Sequence, residues 1–407
     1  MGDFGSGIVS SASETALILS GGGAYGAFEV GVMKALFAGR SPATGYTPLS
    51  ADILSGTSVG SFNAAIMSSF PQESGLATAL RLERLWLDRI AQRSGGCENG
   101  IFRIRGNPLE YLDANCLNDP AKVLSRLTGD SLFLSRYFLF RAVNFLASSL
   151  PLDNRLIQLL NAGSFIDSTP FHELMHDVIN EEAIRSSTKK LIVTATNWVT
   201  GAIVHFRNSD FYNDRGVHAI LASSALPGIF PAVRIEGDIF VDGGVVENTP
   251  LDPAIESGAT ELHVIYLNPH PQFIPLNAEP NTFETVLRVY ELMLATKINE
   301  DIESARWINA GIRILSQPHK QGQITSEDLR DLIRVAGPLL ERSGSAYKPL
   351  TIHRYFPRSV LGGASSVLDL GVEQIASVIE EGENTALLHD CSLNACVMAP
   401  EGIAYNG

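Results

Sequence analysis

A short apolar segment is joined to a helical one by a serine between two glycines, in the run Gly56-Thr57-Ser58-Val59-Gly60. Glycines on both sides let the backbone turn sharply from a strand into a helix, which lifts the serine hydroxyl out of a sheet. This arrangement is typical of nucleophilic hydrolases, although the same spacing also occurs in ordinary Gly- and Ser-rich turns. The run therefore predicts a strand–helix unit and makes Ser58 a candidate nucleophile.

Short β-like segments alternate with helical ones along most of the chain. Strands are predicted at 16–19, 51–54, 191–196, 202–206, 239–241 and 262–267, and helices at 24–38 and 59–69. Strands that alternate with helices favour βα units. We therefore expect an α/β fold of three layers, with a mostly parallel central sheet flanked by helices.

Two regions depart from this alternation. Residues 97–164 are helical, apolar and aromatic, and we expect them to form a helical insertion over the sheet. The insertion could be a cap that buries its own apolar face, or a lid or lipid-facing surface near the active site.

We expect a catalytic domain over 1–280 and a mainly helical C-terminal extension over 281–407 packed on it. Elements predicted in the extension are helices at 283–299, 301–309, 327–340 and 367–381, and short strands at 312–315 and 352–356.

Charge and hydropathy narrow the possible partners. The 407 residues include 30 basic and 44 acidic side chains, a net charge of −14, which disfavours nucleic acid as a partner. The longest uncharged run of the apolar insertion, 142–152, is too short to span a bilayer, so no transmembrane segment is expected. No secretory signal is visible, and we expect a cytoplasmic location with peripheral contact to membranes. Gly2 fits the loose myristoylation pattern.

Cysteines and histidines give little support for a metal. The chain has four cysteines and no C-x-x-C pair, so neither a disulfide framework nor a structural zinc site is expected. Cys391 and Cys396 are expected to be free thiols, although they could pair in an oxidising setting. His172 and His176 match H-E-x-x-H, but no third ligand follows at the usual spacing. We interpret that segment as a surface amphipathic helix and predict no metal.

A glycine-rich run at 20–26 follows the first predicted strand and starts its helix. Consecutive glycines let backbone N–H groups turn toward one point beside the positive end of a helix, so Gly21, Gly22 and Gly23 could form an oxyanion hole. With Gly26, the run also spells the G-x-G-x-x-G of a dinucleotide site. That site needs an acidic residue about 20 positions on, and 39–50 contains none. No cofactor is therefore expected.

The catalytic base is harder to identify. Several of the nine histidines lie downstream of Ser58, among them His205, His263, His270 and His353, and none of these lies in a loop that would obviously aim it at Ser58. Asp242 ends a predicted strand and is followed by Gly243 and Gly244, which would leave its carboxylate little covered. Asp-Gly also favours an ordinary β-turn, and this motif alone favours the turn.

The three motifs in this order, 21–26, 56–60 and 242–244, resemble the patatin-like phospholipase family. The stretches 222–231 and 246–251 are also similar to that family, and the resemblance covers roughly 16–269. It implies a Ser-Asp dyad instead of a triad. Ser58 would be the nucleophile and Asp242 its base, and the backbone N–H groups of Gly21, Gly22 and Gly23 would form the oxyanion hole.

The resemblance also implies an activity. The chain would be a lipid acyl hydrolase, similar to a phospholipase A or a lysophospholipase, acting on lipid at a membrane or micelle surface through an acyl-enzyme. Glycines that support the motifs are Gly26, Gly56, Gly60, Gly243 and Gly244. Tyr25 departs from the family, which often has Arg or Lys there. Two alternatives stay open: a thioesterase or non-lipid esterase with the same dyad, and a lipid-binding regulatory module with an idle site.

Overall fold

A computed structural model describes residues 14–92, 100–106, 120–147, 166–267, 285, 288–289, 292, 302–303, 305–311, 348–358, 361 and 369–400. Its strands are β1 (Glu14–Leu19), β2 (Ile53–Thr57), β3 (Arg103–Ile104), β4 (Ile166–Asp167), β5 (Lys190–Asn197), β6 (Ile203–Arg207), β7 (Val233–Ile235), β8 (Asp238–Asp242), β9 (Ala259–Ile265) and β10 (Thr351–Tyr355). Its helices are α1 (Gly26–Phe37), α2 (Val59–Ser69), α3 (Gly75–Leu85), α4 (Pro120–Ala147), α5 (Thr169–Val178), α6 (Glu181–Ser186), α7 (Arg215–Ser223), α8 (Leu251–Glu256) and α9 (Val372–Leu387).

The predicted elements compare well with these. Each strand predicted from the sequence within the described residues is present, and the helices predicted at 24–38 and 59–69 correspond to α1 and α2. The helix predicted at 367–381 begins and ends later, as α9. Residues 302–303 and 305–311 are helical, and so are the four described residues of 283–299. The segments 312–315 and 327–340, and Gly2, lie outside the described residues.

The central sheet has eight strands in the order β10-β9-β1-β2-β5-β8-β7, and β6 pairs with β5. Strands β10, β9, β1, β2 and β5 run parallel to one another. Strand β5 also pairs antiparallel with β6 and β8, and β8 pairs antiparallel with β7. Parallel neighbours need crossover connections, which the helices supply. The expected α/β fold with a mostly parallel sheet flanked by helices is confirmed.

Both faces of the sheet are covered. In β1, Leu17 and Leu19 belong to the hydrophobic cluster that contains α1, α2 and α9, whereas Ala16 and Ile18 belong to a second cluster with α8. Successive side chains of a strand point to opposite faces. A strand that is apolar at every position therefore needs a packed layer on each side, as in parallel sheets in general.

Two glycines allow α1 and α9 to cross at close range. A Cβ added to Gly31 would lie 1.9 Å from the Ile379 carbonyl oxygen, and one added to Gly382 would lie 2.0 Å from that of Phe28. Lys34 on α1 pairs with Glu383 on α9 at 3.0 Å. Through α9 and β10, the chain beyond residue 280 packs on α1 and extends the central sheet.

Within the insertion, the structure describes β3 and α4. The Arg103 side chain joins α4 to the antiparallel pair of β3 and β4 through Asp130, at 2.6 Å, and Asp167, at 3.1 Å. These three side chains are buried. Among the helices that the structure describes, none combines the length and the apolar character needed to cross a membrane. Large apolar side chains are nevertheless exposed on α4: Leu124, Leu127, Leu132, Phe138, Leu139, Phe140, Val143 and Leu146.

Candidate active site

Ser58 occupies a sharp turn between β2 and α2. Its backbone has φ 56° and ψ −127°, a region that non-glycine residues rarely adopt. A Cβ on Gly60 would lie 2.3 Å from the Leu19 carbonyl oxygen, and a Cβ on Gly56 would lie 2.4 Å from the Gly60 backbone. The spacing of the two glycines is therefore explained by close backbone contacts on both sides of Ser58. The strand-to-helix turn predicted from the sequence is confirmed.

A chain of two hydrogen bonds holds this turn. The Ser58 N–H donates to Ser223 Oγ at 2.8 Å, and the Ser223 hydroxyl donates to the Thr194 carbonyl oxygen at 2.6 Å. Ser223 ends α7, and Thr194 lies in β5 beside β2. The strained backbone of Ser58 is thus attached to a neighbouring strand and a helix.

Strand pairing brings Asp242 close to Ser58. Thr57 pairs with Thr194 across β2 and β5, and the next residue of β5, Ala195, pairs with Asp242 across β5 and β8. The Asp242 carboxylate is 3% exposed and accepts a hydrogen bond from the Gly244 N–H at 2.7 Å. A turn follows Asp242, as the Asp-Gly pair predicts, and the Asp242 carboxylate also interacts with the Ser58 hydroxyl.

Burial changes the acidity of this carboxyl group. Loss of solvation raises the pKa of Asp242 to about 7, against the opposing effects of the Gly244 N–H and the Ser58 hydroxyl, with which the carboxylate interacts. An aspartate is ordinarily a weak base, with a pKa of about 3.9. Asp242 is therefore far better matched than an exposed aspartate to accept a proton near neutral pH.

The glycine loop at the end of β1 lies against Ser58. A Cβ on Gly21 would lie 2.9 Å from the Ser58 Cβ, and Gly23 has φ 56°. The Gly21 N–H donates to the Asn248 carbonyl oxygen at 3.2 Å, so this N–H is already engaged. Within the described part of the chain, the N–H groups of Gly22 and Gly23 donate to no protein acceptor. The N–H groups of Gly22 and Gly23 therefore remain candidates for the oxyanion hole.

Neighbouring loops hold the glycine loop and β2 in place. The Asn248 side chain donates to the Gly21 carbonyl oxygen at 3.2 Å, and the Ser20 and Thr249 hydroxyls are 2.8 Å apart. Thr57 Oγ1 donates to the Glu247 carbonyl oxygen at 2.9 Å. Sequence reasoning assigned no role to Asn248 or to Ser223. The available signal was their position in the two stretches, 246–251 and 222–231, that resemble the family.

An apolar cavity opens beside Ser58 and Gly23, with a volume of about 80 Å³. Its polar side chains are the hydroxyls of Ser58, Ser168 and Ser224, and Ser224 Oγ is buried without a hydrogen-bond partner. Ile101, within the insertion, and Ser168, just after it, contribute to the wall of the cavity. Other lining residues are large and apolar, including Phe62, Trp86, Phe171, Leu221, Phe230 and Leu370. The cavity suits a hydrocarbon chain better than a polar group.

Tyr25 and the H-E-x-x-H histidines do not line this cavity. Tyr25 is 4% exposed and belongs to the main hydrophobic core. His172 and His176 lie one turn apart on α5, with their Nε2 atoms 3.2 Å apart. Among the described residues, no third side chain completes a metal-binding group with these two histidines.

The family model described as patatin-like phospholipase matches residues 17–255. No curated protein matches the chain. Among solved structures, the crystal structure of VipD from Legionella pneumophila is similar, at 13% identity and a TM-score of 0.31, over 91% of this chain and 67% of that one.

Proposed function

The chain belongs to the patatin-like phospholipase family, and from this premise we propose that it hydrolyses fatty-acyl esters of lipids with Ser58 as nucleophile and Asp242 as base. One observation carries the proposal: a serine on a strained strand-to-helix turn faces a buried carboxylate whose pKa is raised to about 7. Both groups lie beside a glycine loop with open N–H donors. Lipid acyl hydrolysis is the activity that the family supports in general.

In the first half of the reaction, Ser58 Oγ attacks the acyl carbonyl carbon while Asp242 accepts the hydroxyl proton. The negative charge that develops on the carbonyl oxygen is stabilised by the N–H groups of Gly22 and Gly23, since that of Gly21 is engaged by Asn248. The ester C–O bond breaks, the proton passes from Asp242 to the leaving alcohol, and an acyl-enzyme remains.

In the second half, water attacks the acyl-enzyme. Asp242 takes a proton from the water, the bond between the acyl carbon and Ser58 Oγ breaks, and the proton returns to the serine. The fatty acid leaves and the free enzyme is restored. Neither half requires a metal or a cofactor, because the aspartate and the backbone donors supply the proton transfer and the charge stabilisation.

The surroundings of Ser58 support a lipid as substrate. The cavity of about 80 Å³ is narrow and apolar, which suits one acyl chain whose carbonyl reaches Ser58. Exposed apolar side chains on α4 offer a surface for a membrane or micelle, and the bonds of Arg103 connect α4 to the segments that flank the cavity. We therefore propose that the insertion contacts the lipid surface from which the substrate is taken.

The test measures fatty-acid release from phosphatidylcholine vesicles and from a short-chain nitrophenyl ester. Ser58→Ala and Asp242→Asn should each reduce both activities at least a hundredfold, since each removes a group needed for chemistry. Asp238→Asn, at the exposed start of the same strand β8, is the matched control for the aspartate. Ser186→Ala, whose hydroxyl bonds only its own helix, is the control for the serine. Undiminished activity in Ser58→Ala and Asp242→Asn would contradict the mechanism.

Two further experiments test the alternative functions, a thioesterase and a lipid-binding module with an idle site. Competition between an acyl-CoA and phospholipid vesicles tests a thioesterase, which would prefer the soluble thioester. A fluorophosphonate probe tests an idle site, because only an activated serine is phosphonylated quickly. Failure to label Ser58 in the folded protein would favour a regulatory lipid-binding module.

A further inference from the structure

Four metal-binding side chains converge at the edge of the sheet, away from Ser58. His353 lies on β10, and His389, Cys391 and Cys396 follow α9; we name these four residues the C-terminal cluster. His389 Nε2 is 3.4 Å from Cys391 Sγ and 3.5 Å from Cys396 Sγ, and His353 Nδ1 is 3.4 Å from Cys391 Sγ. One donor atom from each residue lies within 4.8 Å of all the others.

These distances match those between the ligands of a tetrahedral zinc ion. With Zn–S near 2.3 Å and Zn–N near 2.0–2.1 Å, the tetrahedral angle places sulfur and nitrogen about 3.5 Å apart. Both cysteines are free thiols, as expected from the sequence, and form no disulfide. We propose that the C-terminal cluster binds one Zn²⁺ ion in a Cys₂His₂ site.

The surroundings of the two imidazoles suit metal ligation. The side chains of His353 and His389 are both buried, so water does not compete with the protein for their ring nitrogens. A neutral imidazole has the lone pair that a metal requires. On binding, Zn²⁺ displaces one proton from each thiol, so that two thiolates balance the charge of the ion.

Residues around the cluster can orient its ligands. His263, opposite His353 in the β9–β10 register, stacks on the His353 ring with centroids 4.9 Å apart. A Glu261 carboxylate oxygen lies within 4.8 Å of ring nitrogens of both histidines. The Asn394 Nδ2 atom lies 2.9 Å from His389 Nδ1 and donates to the Arg354 carbonyl oxygen at 3.1 Å, so this amide restricts the orientation of the His389 ring. Such outer partners fix the orientation of metal ligands.

Hydrogen bonds hold the loop that carries Cys391 and Cys396 in a defined conformation. Asp390 Oδ1 accepts the Ser392 N–H at 2.8 Å, and the Cys396 N–H donates to the Cys391 carbonyl oxygen at 2.9 Å. Ile352 and Val397 exchange backbone hydrogen bonds of 2.7 and 3.0 Å, which attach the loop to β10. His389, Cys391 and Cys396 have the spacing H-x-C-x₄-C. Because this spacing contains no C-x-x-C pair, the sequence led us to expect no zinc site.

The proposed role is structural. Four protein ligands leave no open position for water or substrate, which is typical of structural zinc sites. The ion would fasten the segment after α9 to β10, the edge strand of the sheet, and so secure the packing of α9 on α1. The readouts of the test below are metal content and spectra, so the outcome does not depend on the hydrolase assignment.

The test uses the full chain, purified under reducing conditions without chelator, and measures zinc by mass spectrometry. We expect one zinc per chain in the wild type and a loss of at least tenfold in Cys391→Ser, Cys396→Ser and His389→Asn. His172→Asn is the matched control, because it removes a partly exposed histidine from the H-E-x-x-H pair. This variant should keep its zinc.

Two further measurements keep the test decisive if the cysteine variants do not fold. Wild-type protein loaded with Co²⁺ should show the thiolate-to-cobalt charge transfer and the visible bands of a tetrahedral S₂N₂ site. Removal of metal by a chelator should lower the melting temperature, and added Zn²⁺ should restore it. A folded wild type that retains no zinc after loading and dialysis overturns the proposal. A Cys391–Cys396 disulfide in reduced preparations, or full zinc retention by the cysteine variants, also overturns it.

Discussion

Ser223 Oγ accepts a hydrogen bond from the Ser58 N–H at 2.8 Å, and this bond holds the backbone of the candidate nucleophile in its strained conformation. The bond also occupies the Ser58 N–H, which is therefore not a donor for the substrate. A hydroxyl group suits this position because it can accept a hydrogen bond from the Ser58 N–H and donate one to the Thr194 carbonyl oxygen at the same time. The turn thus depends on a residue 165 positions along the chain.

Replacing Ser223 by Ala should weaken both stability and activity. The change leaves the Ser58 N–H and the Thr194 carbonyl without this partner, and a buried unpaired group costs about 1–3 kcal/mol. We expect a loss of this size in the free energy of unfolding and roughly a tenfold decrease in kcat. Ser224→Ala is the matched control, since that hydroxyl has no partner to lose. Equal loss of stability in both variants would contradict this role for Ser223.

The pH dependence of hydrolysis should follow the Asp242 carboxyl group. Because burial raises its pKa to about 7, the carboxylate is protonated at lower pH and cannot accept the Ser58 proton. We expect kcat/KM for a nitrophenyl ester to rise with pH and to level off above about 7. A profile that stays flat through neutral pH, or that has its midpoint near the ordinary pKa of about 4, would count against Asp242 as the base.

Asp242→Asn should stabilise the fold above neutral pH while it removes activity. The pKa of Asp242 is about 7 in the folded chain, against 3.8 for an ordinary aspartate in the unfolded chain. Between these pH values the unfolded chain releases the proton and the folded chain keeps it, so stability falls as pH rises, and the full cost is present above pH 7. One pKa unit corresponds to about 1.4 kcal/mol, so the gain is of the order of a few kcal/mol.

Urea unfolding of wild type and Asp242→Asn, at an acidic pH and at a pH above neutrality, measures this effect. The difference in the free energy of unfolding should grow with pH. Asp238→Asn, exposed on the same strand, should show no such growth. An Asp242→Asn variant that is less stable than wild type at both pH values would refute the prediction.

The crossing of α1 and α9 should not tolerate a methyl group at Gly31. Its Cβ would lie 1.9 Å from the Ile379 carbonyl oxygen and 2.6 Å from the Glu383 nitrogen, and both atoms belong to helix backbone. We expect Gly31→Ala to cost about 1–3 kcal/mol or more. Gly129→Ala in α4, where a Cβ meets nothing within 4 Å, should instead stabilise its helix by about 1 kcal/mol. Thermal unfolding of both variants measures these effects. A melting temperature of Gly31→Ala equal to that of the wild type would show that α1 and α9 can move apart without cost.

The exposed apolar residues of α4 should affect the rate of hydrolysis only when the substrate lies in a lipid surface. Phe140 is 65% exposed, and an apolar side chain of this size gains about 1.5–3 kcal/mol when it is fully buried. Phe140→Ser combined with Leu139→Ser should therefore lower vesicle binding and vesicle hydrolysis at least tenfold, with little change for the nitrophenyl ester. Val199→Ser, 76% exposed on the β5–β6 turn, is the control. Equal effects on both substrates would argue against a lipid-facing role.

Local patterns in the sequence were sufficient to predict the strands and helices and two parts of the candidate site, the turn at Ser58 and the glycine loop at 21–26. The alternation of strands and helices predicts the α/β sheet, because hydrophobic periodicity reflects local backbone geometry. The G-x-S-x-G spacing predicts the turn at Ser58, since its glycines are needed by contacts within and next to the turn itself. The spacing of 21–26 likewise predicts a loop whose backbone N–H groups are exposed beside a helix.

Other features depend on strand order, which local patterns do not specify. Asp242 faces Ser58 because β8 pairs antiparallel with β5 beside β2, and Asn248 takes up the Gly21 N–H because its loop meets the end of β1. His353 meets His389 and the two cysteines only where β10 joins β9 at the edge of the sheet. The sequence by itself determined the strand–helix units and the turn at Ser58. The tertiary structure decided that Asp242 lies beside Ser58, that Asn248 engages the Gly21 N–H and that the C-terminal cluster assembles, because these contacts join residues distant along the chain that only packing brings within a few ångströms.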